Sequence, residues 1–256
     1  MVGIGTLIIT AQGFGNTNTV TFDSATTNNA LMSGFIITGA TGNLPNGNGI
    51  YCNNGSPTIT HNTISWNNFH GIYCYKSSPS IYNNIITKNG TIDIVFFGIH
   101  VYLSGSSIIN YNCVWKNGYG GNNNYSGCSA GPNDISSDPQ FIEEGINFHI
   151  GSTSPCIDKG TNIPPGGLPL TDKDGNSRII NDIVDMGAYE YQGTSTLQIG
   201  TITGVISYTG NKTGTIAVFA MVDLDQDPVA LTLIPSPGTY TLVGTYGDRS
   251  EFGTKF

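Results

Sequence analysis

Charge is scarce in this chain. Only 10% of its 256 residues are charged, the formal net charge is −8, and Arg178 and Arg249 are its only arginines. Phosphate recognition draws on Lys and Arg, so this balance argues against a nucleic-acid partner. No run approaches the ~20 apolar residues that a membrane-spanning helix needs, and insertion into a membrane is not expected. The 3.6-residue apolar spacing of amphipathic helices is missing as well. The five cysteines leave at least one unpaired, and they show neither CxxC nor zinc-type spacing.

What is abundant is Gly, with 35 residues, together with Asn, Ser and Thr. Such a composition suits short strands joined by tight turns, where Gly and Asn reach left-handed conformations cheaply. The chain also repeats itself. Gly49-Ile50-Tyr51-Cys52 returns as Gly71-Ile72-Tyr73-Cys74 after 22 residues, and as Gly98-Ile99-His100-Val101 after 27 more. Asn62, Asn84 and Asn112 recur at steps of 22 and 28, and so do Asn67, Asn89 and Asn117. Residues 90–97 account for the longer second step as an inserted loop. A period near 22 built of β-type segments is the mark of a solenoid.

Inside each repeat the alternation has period two. Ile50, Cys52, Ile72, Cys74, Ile99 and Val101 fall on one face, expected inward. Tyr51, Asn53, Tyr73, Tyr75, His100 and Tyr102 fall on the other. Asn62, Asn84 and Asn112 each stand three residues after an isoleucine, at an expected bend. They read as an internal ladder whose amides satisfy turn backbone groups from coil to coil. Cys52 and Cys74 read as a stacked apolar pair. Of Cys113, Cys128 and Cys156, in loop-rich sequence, any two could pair in a secreted protein.

This pattern resembles the right-handed parallel β-helix proteins, a broad group that includes pectate lyases and polygalacturonases, over about residues 15–192. The fold expected is all-β: a right-handed parallel β-helix over 1–192, a linker at 193–198, and a small partial β-sandwich over 199–246. Asp138-Pro139-Gln140-Phe141, Ser154-Pro155-Cys156-Ile157-Asp158, Asp172-Lys173-Asp174-Gly175 and Val184-Asp185-Met186-Gly187-Ala188-Tyr189-Glu190-Tyr191 together resemble the closing section of bacterial surface β-helix proteins that leads to a terminal anchor. Residues 199–246 resemble carboxypeptidase-regulatory-like modules. Residues 118–137 show no periodic signal and read as a Gly/Asn loop. The start lacks the basic opening and cleavage site of a signal peptide, and 247–256 reads as translated vector sequence. The chain is therefore expected to be a fragment of a larger secreted or cell-surface protein.

For function, the tyrosine face offers a platform on which sugar rings could stack, unless the 118–137 loop or the C-terminal module packs over it. The expectation is a secreted carbohydrate-active protein, monomeric, that binds an extended polysaccharide through Tyr51, Asn53, Tyr73, Tyr75 and Tyr102 and cleaves it as a glycoside hydrolase or lyase. The alternative is a non-catalytic structural or adhesive solenoid. A glycosidase needs two carboxyl groups ~5–9.5 Å apart, yet residues 48–117 hold one carboxylate, Asp93. The aspartate clusters of polygalacturonases and calcium-dependent pectate lyases are missing too. Lys76 or His100 could act as base in a β-elimination, with Tyr73 or Tyr102 as acid. Asp172 and Asp174 are further catalytic candidates, with a structural turn as their other role. No metal or other cofactor is expected. Calcium alone stays open: Asp223, Asp225 and Asp227 alternate as calcium loops do, but Pro228 takes the glycine position and no glutamate stands at position twelve.

Overall fold

Two-residue corners, rather than long loops, set the architecture. At three equivalent places a strand ends, one residue adopts left-handed backbone, and an asparagine leads into the next strand: His61-Asn62, Asn83-Asn84 and Tyr111-Asn112, with φ of 54°, 53° and 58° at the leading residue. A chain that turns so sharply and regularly must coil. The computed structural model describes residues 8–10, 18–26, 30–42, 46–90, 96–103, 106–193, 198–206, 216–220, 230–234 and 238–246. Asp93, residues 194–197 of the expected linker, Asp223, Asp225 and Asp227, and the 247–256 tail lie outside the described residues.

After β1 (Ile8–Thr10), each coil contributes three strands. The first complete coil holds β2 (Val20–Phe22), β3 (Leu31–Ser33) and β4 (Ile36–Thr38). The second holds β5 (Ile50–Asn53), β6 (Thr58–Thr60) and β7 (Thr63–Ser65). The third holds β8 (Ile72–Tyr75), β9 (Ser80–Tyr82) and β10 (Ile85–Thr87), and the fourth β11 (Ile99–Tyr102), β12 (Ile108–Asn110) and β13 (Cys113–Trp115). A fifth coil opens with β14 (Tyr125–Ser126). Equivalent strands pair in parallel, giving three sheets: β1-β4-β7-β10-β13, β2-β5-β8-β11-β14 and β3-β6-β9-β12. We call these the first, second and third sheets. This is the arrangement of a parallel β-helix, and it joins Ile50 to Ile72 to Ile99, and Tyr51 to Tyr73 to His100, as register partners.

Ile50, Ile59, Ile64, Ile72, Ile81, Ile86 and Ile99 are all fully buried in one central cluster, with Cys52 and Cys74 stacked among them. The repeated glycines are explained by the same packing. A Cβ on Gly71 would stand 2.7 Å from the carbonyl oxygen of Gly98 and 2.8 Å from Nδ2 of Asn89. Gly49 and Gly98 are equally enclosed, so only glycine fits between coil and ladder there.

Two asparagine ladders run the length of the coils. In one, the Oδ1 of Asn62, Asn84 and Asn112 accepts the backbone N–H of Phe35, Asn62 and Asn84 respectively. The Asn84 amide nitrogen donates to the Ile59 and Tyr82 carbonyls and to Asn112 Oδ1. Asn67, Asn89 and Asn117 repeat the pattern at the next corner. Residues 118–137, expected as a loop without period, prove otherwise. Asp134 lies 22 residues after Asn112 and takes the next ladder position, accepting the Asn112 N–H at 2.7 Å. Asn124 likewise takes the position after Asn117. The segment is a further coil whose caps replace the repeat's own residues. Cys113, expected in a loop, stands in β13.

Residues 138–191 cover the outer side of the first sheet. A short hairpin, β15 (Phe141–Glu143) and β16 (Asn147–Ile150), sets Phe148 with Ala188 and Tyr189 against Ile36. Ile150, Cys156 and Met186 pack on Ile85 and Cys113. The cover is pinned by Arg178, 1% exposed, whose guanidinium donates to the carbonyls of Ala188, Gly187 and Asp185. The chain divides into two compact units, Met1–Gln192 and Gly193–Phe256. The second contains β17 (Gln198–Ile206) paired antiparallel with β20 (Gly238–Tyr246), and β18 (Ile216–Ala220) paired antiparallel with β19 (Ala230–Ile234). Among the described residues no helix is long and apolar enough to cross a membrane.

Two truncations compare the core with the ladder. Ile72→Ala is expected to cost about 2–5 kcal/mol in urea unfolding, as other buried large-to-small changes do. Asn84→Ala is expected to cost at least as much, because it strands several buried backbone groups at ~1–3 kcal/mol each. A loss below ~0.5 kcal/mol in either variant contradicts the inward register.

Candidate functional site

The outer face of the second sheet gathers most of the residues singled out by sequence. Tyr51, Tyr73, Asn53, Tyr75 and His100 are half-buried there, and Tyr102 is exposed. Because the strands are in register, equivalent side chains sit one above another, and their rings stack along the coil axis. Tyr51 and Tyr73 lie 5.2 Å apart between centroids with planes 15° from parallel. Tyr73 and His100 follow at 5.2 Å, tilted by 50°. Tyr75 and Tyr102 form a second, parallel column at 6.1 Å.

This geometry alters what the face can offer. Between Tyr51 and Tyr73, and between Tyr75 and Tyr102, the ring faces are turned to one another, so the solvent side receives ring edges and phenol oxygens there. Both Tyr51 and Tyr73 hold their protons more tightly than a free phenol, chiefly through burial and then through neighbouring tyrosines. They are therefore neutral hydrogen-bond donors and acceptors at ordinary pH.

Two residues that sequence patterning did not single out complete the column. His70 stacks on His100 at 4.7 Å and 17°, and Phe97 stacks on His100 at 5.5 Å. His70 belongs to a third ladder. Asn18 Oδ1 accepts the Asn48 N–H, Asn48 Oδ1 accepts the His70 N–H, and His70 Nδ1 accepts the Phe97 N–H. Its signal was the 22-residue step from Asn48, hidden because histidine replaces asparagine there. Burial, then the nearby His100, push the His70 imidazole down to about 3. His100 is also lowered by burial, and its Nδ1 is enclosed with no hydrogen-bond partner.

Lys76 stands at a left-handed corner, φ 49°, with its Nζ 5.2 Å from the centre of the Tyr75 ring. Asn53 accepts from the Asn54 side chain at 2.7 Å. The strands of this sheet contain no Asp or Glu, and Lys76 follows β8 directly.

Asp172 and Asp174 are elsewhere, in the cover over the first sheet. Asp172 accepts the backbone N–H groups of Asp174 and Asn176 on Oδ1 and that of Glu190 on Oδ2. Its carboxylate thus organises a turn and ties it to Glu190. Asp174 pairs with His149 Nε2 at 2.6 Å, and His149 stacks on Tyr189 at 3.8 Å. The fold does not bring either aspartate to the tyrosine face. Among the described residues no group of three His, Cys, Asp or Glu side chains is placed to hold a metal. Comparison with known proteins finds no matching family model, no similar curated protein and no similar solved structure.

Buried titratable groups give the fold a pH signature. Burial raises Glu190 to about 8, against the N–H donors of Asp185 and Ile180 and the Arg178 charge. Between its unfolded value near 4.5 and about 8 the folded protein therefore holds a proton that the unfolded chain releases, so this contribution is lost as pH rises. His70 acts oppositely: below about 6.5 the unfolded chain gains a proton that the fold refuses down to about 3, and stability falls with acidification. Thermal stability is expected to fall from about pH 6.5 to 8, with Glu190→Gln flattening that slope. His70→Asn, which keeps a side-chain oxygen in the ladder, is expected to gain more at pH 5 than at pH 7.5. Parallel curves for variant and parent would contradict these assignments.

Proposed function

We propose that this chain is part of a secreted or cell-surface right-handed parallel β-helix that holds an uncharged, extended polysaccharide along its second sheet. The stacked tyrosine–histidine column is the observation that carries the reading. Successive coils lie ~4.8 Å apart, so the column presents phenol oxygens at a repeat suited to the hydroxyls of a polyol running along the axis. With ring faces turned on one another, recognition runs through edges and hydroxyls rather than through face stacking. The absence of Lys, Arg, Asp and Glu from these strands favours a neutral polymer over a uronic-acid one. Residues 138–191 fit a closing section ahead of a terminal anchor, and 199–246 fit a carboxypeptidase-regulatory-like β-sandwich. The working state is a monomer.

Cleavage is the second reading, and His100 supports it. Its imidazole is shifted toward the neutral form by burial, which suits a general base, and Tyr73 neighbours it as an acid. A glycoside hydrolase finds less support, because the carboxylate candidates Asp172 and Asp174 lie over another sheet.

Isothermal titration with soluble xylan, mannan, β-glucan, polygalacturonate and alginate tests both readings. Tyr73→Phe keeps the ring stack and removes one hydroxyl. It is expected to weaken binding a few-fold to about tenfold, for a hydrogen bond of ~0.5–1.5 kcal/mol, with little change in Tm. Tyr73→Ala should also lower Tm, since it breaks the stack. If no polymer binds the parent protein, the chain is a spacer. If Tyr73→Phe binds as tightly as the parent, hydroxyl recognition is wrong. New unsaturated ends that vanish in His100→Ala would establish elimination.

A further inference from the structure

The buried cysteines form two pairs, and in each one thiol perturbs the other; the pairs differ in what sets their separation. Cys52 and Cys74 are register partners on β5 and β8, both fully buried. Their side chains project side by side from strands ~4.8 Å apart, whereas a disulfide needs Cβ atoms ~3.5–4.5 Å apart. The ladders on either side of the coil resist closing that gap, so these two remain a thiol stack. Cys128 borders the same interior cluster, its thiol directed at the Ile99 carbonyl.

Cys113 and Cys156 are not strand neighbours. Cys113 points outward from β13, held by its N–H bond to the Asn84 carbonyl. Cys156 comes from the irregular cover, where its N–H donates to Ser154 Oγ and its carbonyl accepts the Met186 N–H. Both are fully buried in the cluster with Ile85, Ile150 and Met186, close enough for Cys113 to perturb the Cys156 thiol, while the Cys113 thiol donates to the Ser137 carbonyl at 3.2 Å. No coil spacing keeps them apart, because one of the pair lies outside the coils.

We propose that Cys113 and Cys156 form the disulfide of this protein, locking the 138–191 cover onto the first sheet when the chain folds in an oxidising compartment. A small-molecule disulfide such as oxidised glutathione is the oxidant. One cysteine thiolate attacks it and expels a glutathione thiolate. The second cysteine thiolate then displaces the other glutathione, and both thiol protons pass to the two glutathione thiolates. The dithiol loses two electrons, and one glutathione disulfide is reduced. In the folded protein the contact with Cys113, and then burial, raise the Cys156 thiol. The exchange therefore belongs to folding, before the cover closes.

The test is refolding of the full chain from denaturant in oxidised and reduced glutathione, then alkylation of free thiols under denaturing conditions and peptide mapping. A linked 113–156 peptide is expected, with Cys52, Cys74 and Cys128 all alkylated. The oxidised form should melt about 10 °C above protein kept in dithiothreitol, the scale for a cross-link spanning 43 residues in a unit of this size. Cys156→Ser should abolish both the link and the redox dependence of Tm. Five alkylated cysteines, or a link between any other two, would overturn the proposal. The map of the parent protein decides this by itself if Cys156→Ser fails to fold.

Discussion

Every coil must return the backbone through sharp corners without leaving buried N–H and C=O groups unpaired, and the rest of the structure depends on how that is met. An unpaired buried backbone group costs roughly as much as a lost hydrogen bond. Here asparagine amides do the pairing, each bonding its own corner and the adjacent coils. The corners also demand left-handed backbone from residues other than glycine: Trp66, Lys88 and Lys116 at one, Asn54, Lys76 and Leu103 at another. Left-handed backbone costs ~1–2 kcal/mol at each such residue, and beside Trp66, Lys88 and Lys116 the Asn67–Asn89–Asn117 ladder holds the conformation in place. The ends are closed by the same chemistry. Asp134 accepts the Asn112 N–H as another asparagine would, and its other oxygen accepts from Tyr125 and Gly131.

With the interior settled, function turns on which outer faces remain open. The first sheet carries Ile36, Thr63, Ile85 and Cys113 outward, and all four are buried beneath the cover. Apolar side chains on both faces make it a buried sheet. The second sheet carries tyrosine, asparagine and histidine outward and keeps them partly accessible. Stacking along the column fixes these rings, so a ligand meets an ordered row of edges. That order reduces the rotamer entropy a ligand would otherwise have to remove.

Arg178 gives the cover its own core. Its guanidinium is buried among backbone carbonyls, and burial pulls it down to about 10 against the opposing charges of Glu190, Asp172 and Asp185. Burial raises Asp185 to about 6 and Glu190 to about 8, so the cluster does not carry three full negative charges near neutrality. The residues that looked like catalytic candidates in sequence, Asp172 and Asp174, take part in this local architecture: one as a turn organiser, the other paired with His149.

The sequence by itself determined the coils. Period-two alternation and the 22-residue step placed Ile50, Ile72 and Ile99 inward and Asn62, Asn84 and Asn112 in a ladder, because each position sees the same neighbours one coil away. It could not reveal positions where a different residue type fills the repeat's role, as His70 does in the third ladder and as Asp134 and Asn124 do at the caps. A pattern read by residue type loses a hydrogen-bond acceptor that changes its chemistry. Likewise, alternation showed that Tyr51 and Tyr73 point outward but not that their faces would be turned to each other. Only the tertiary structure decided which sheet is covered and which cysteine meets Cys113. Those contacts join residues far apart in sequence through an irregular segment, where no period carries information from one position to the next.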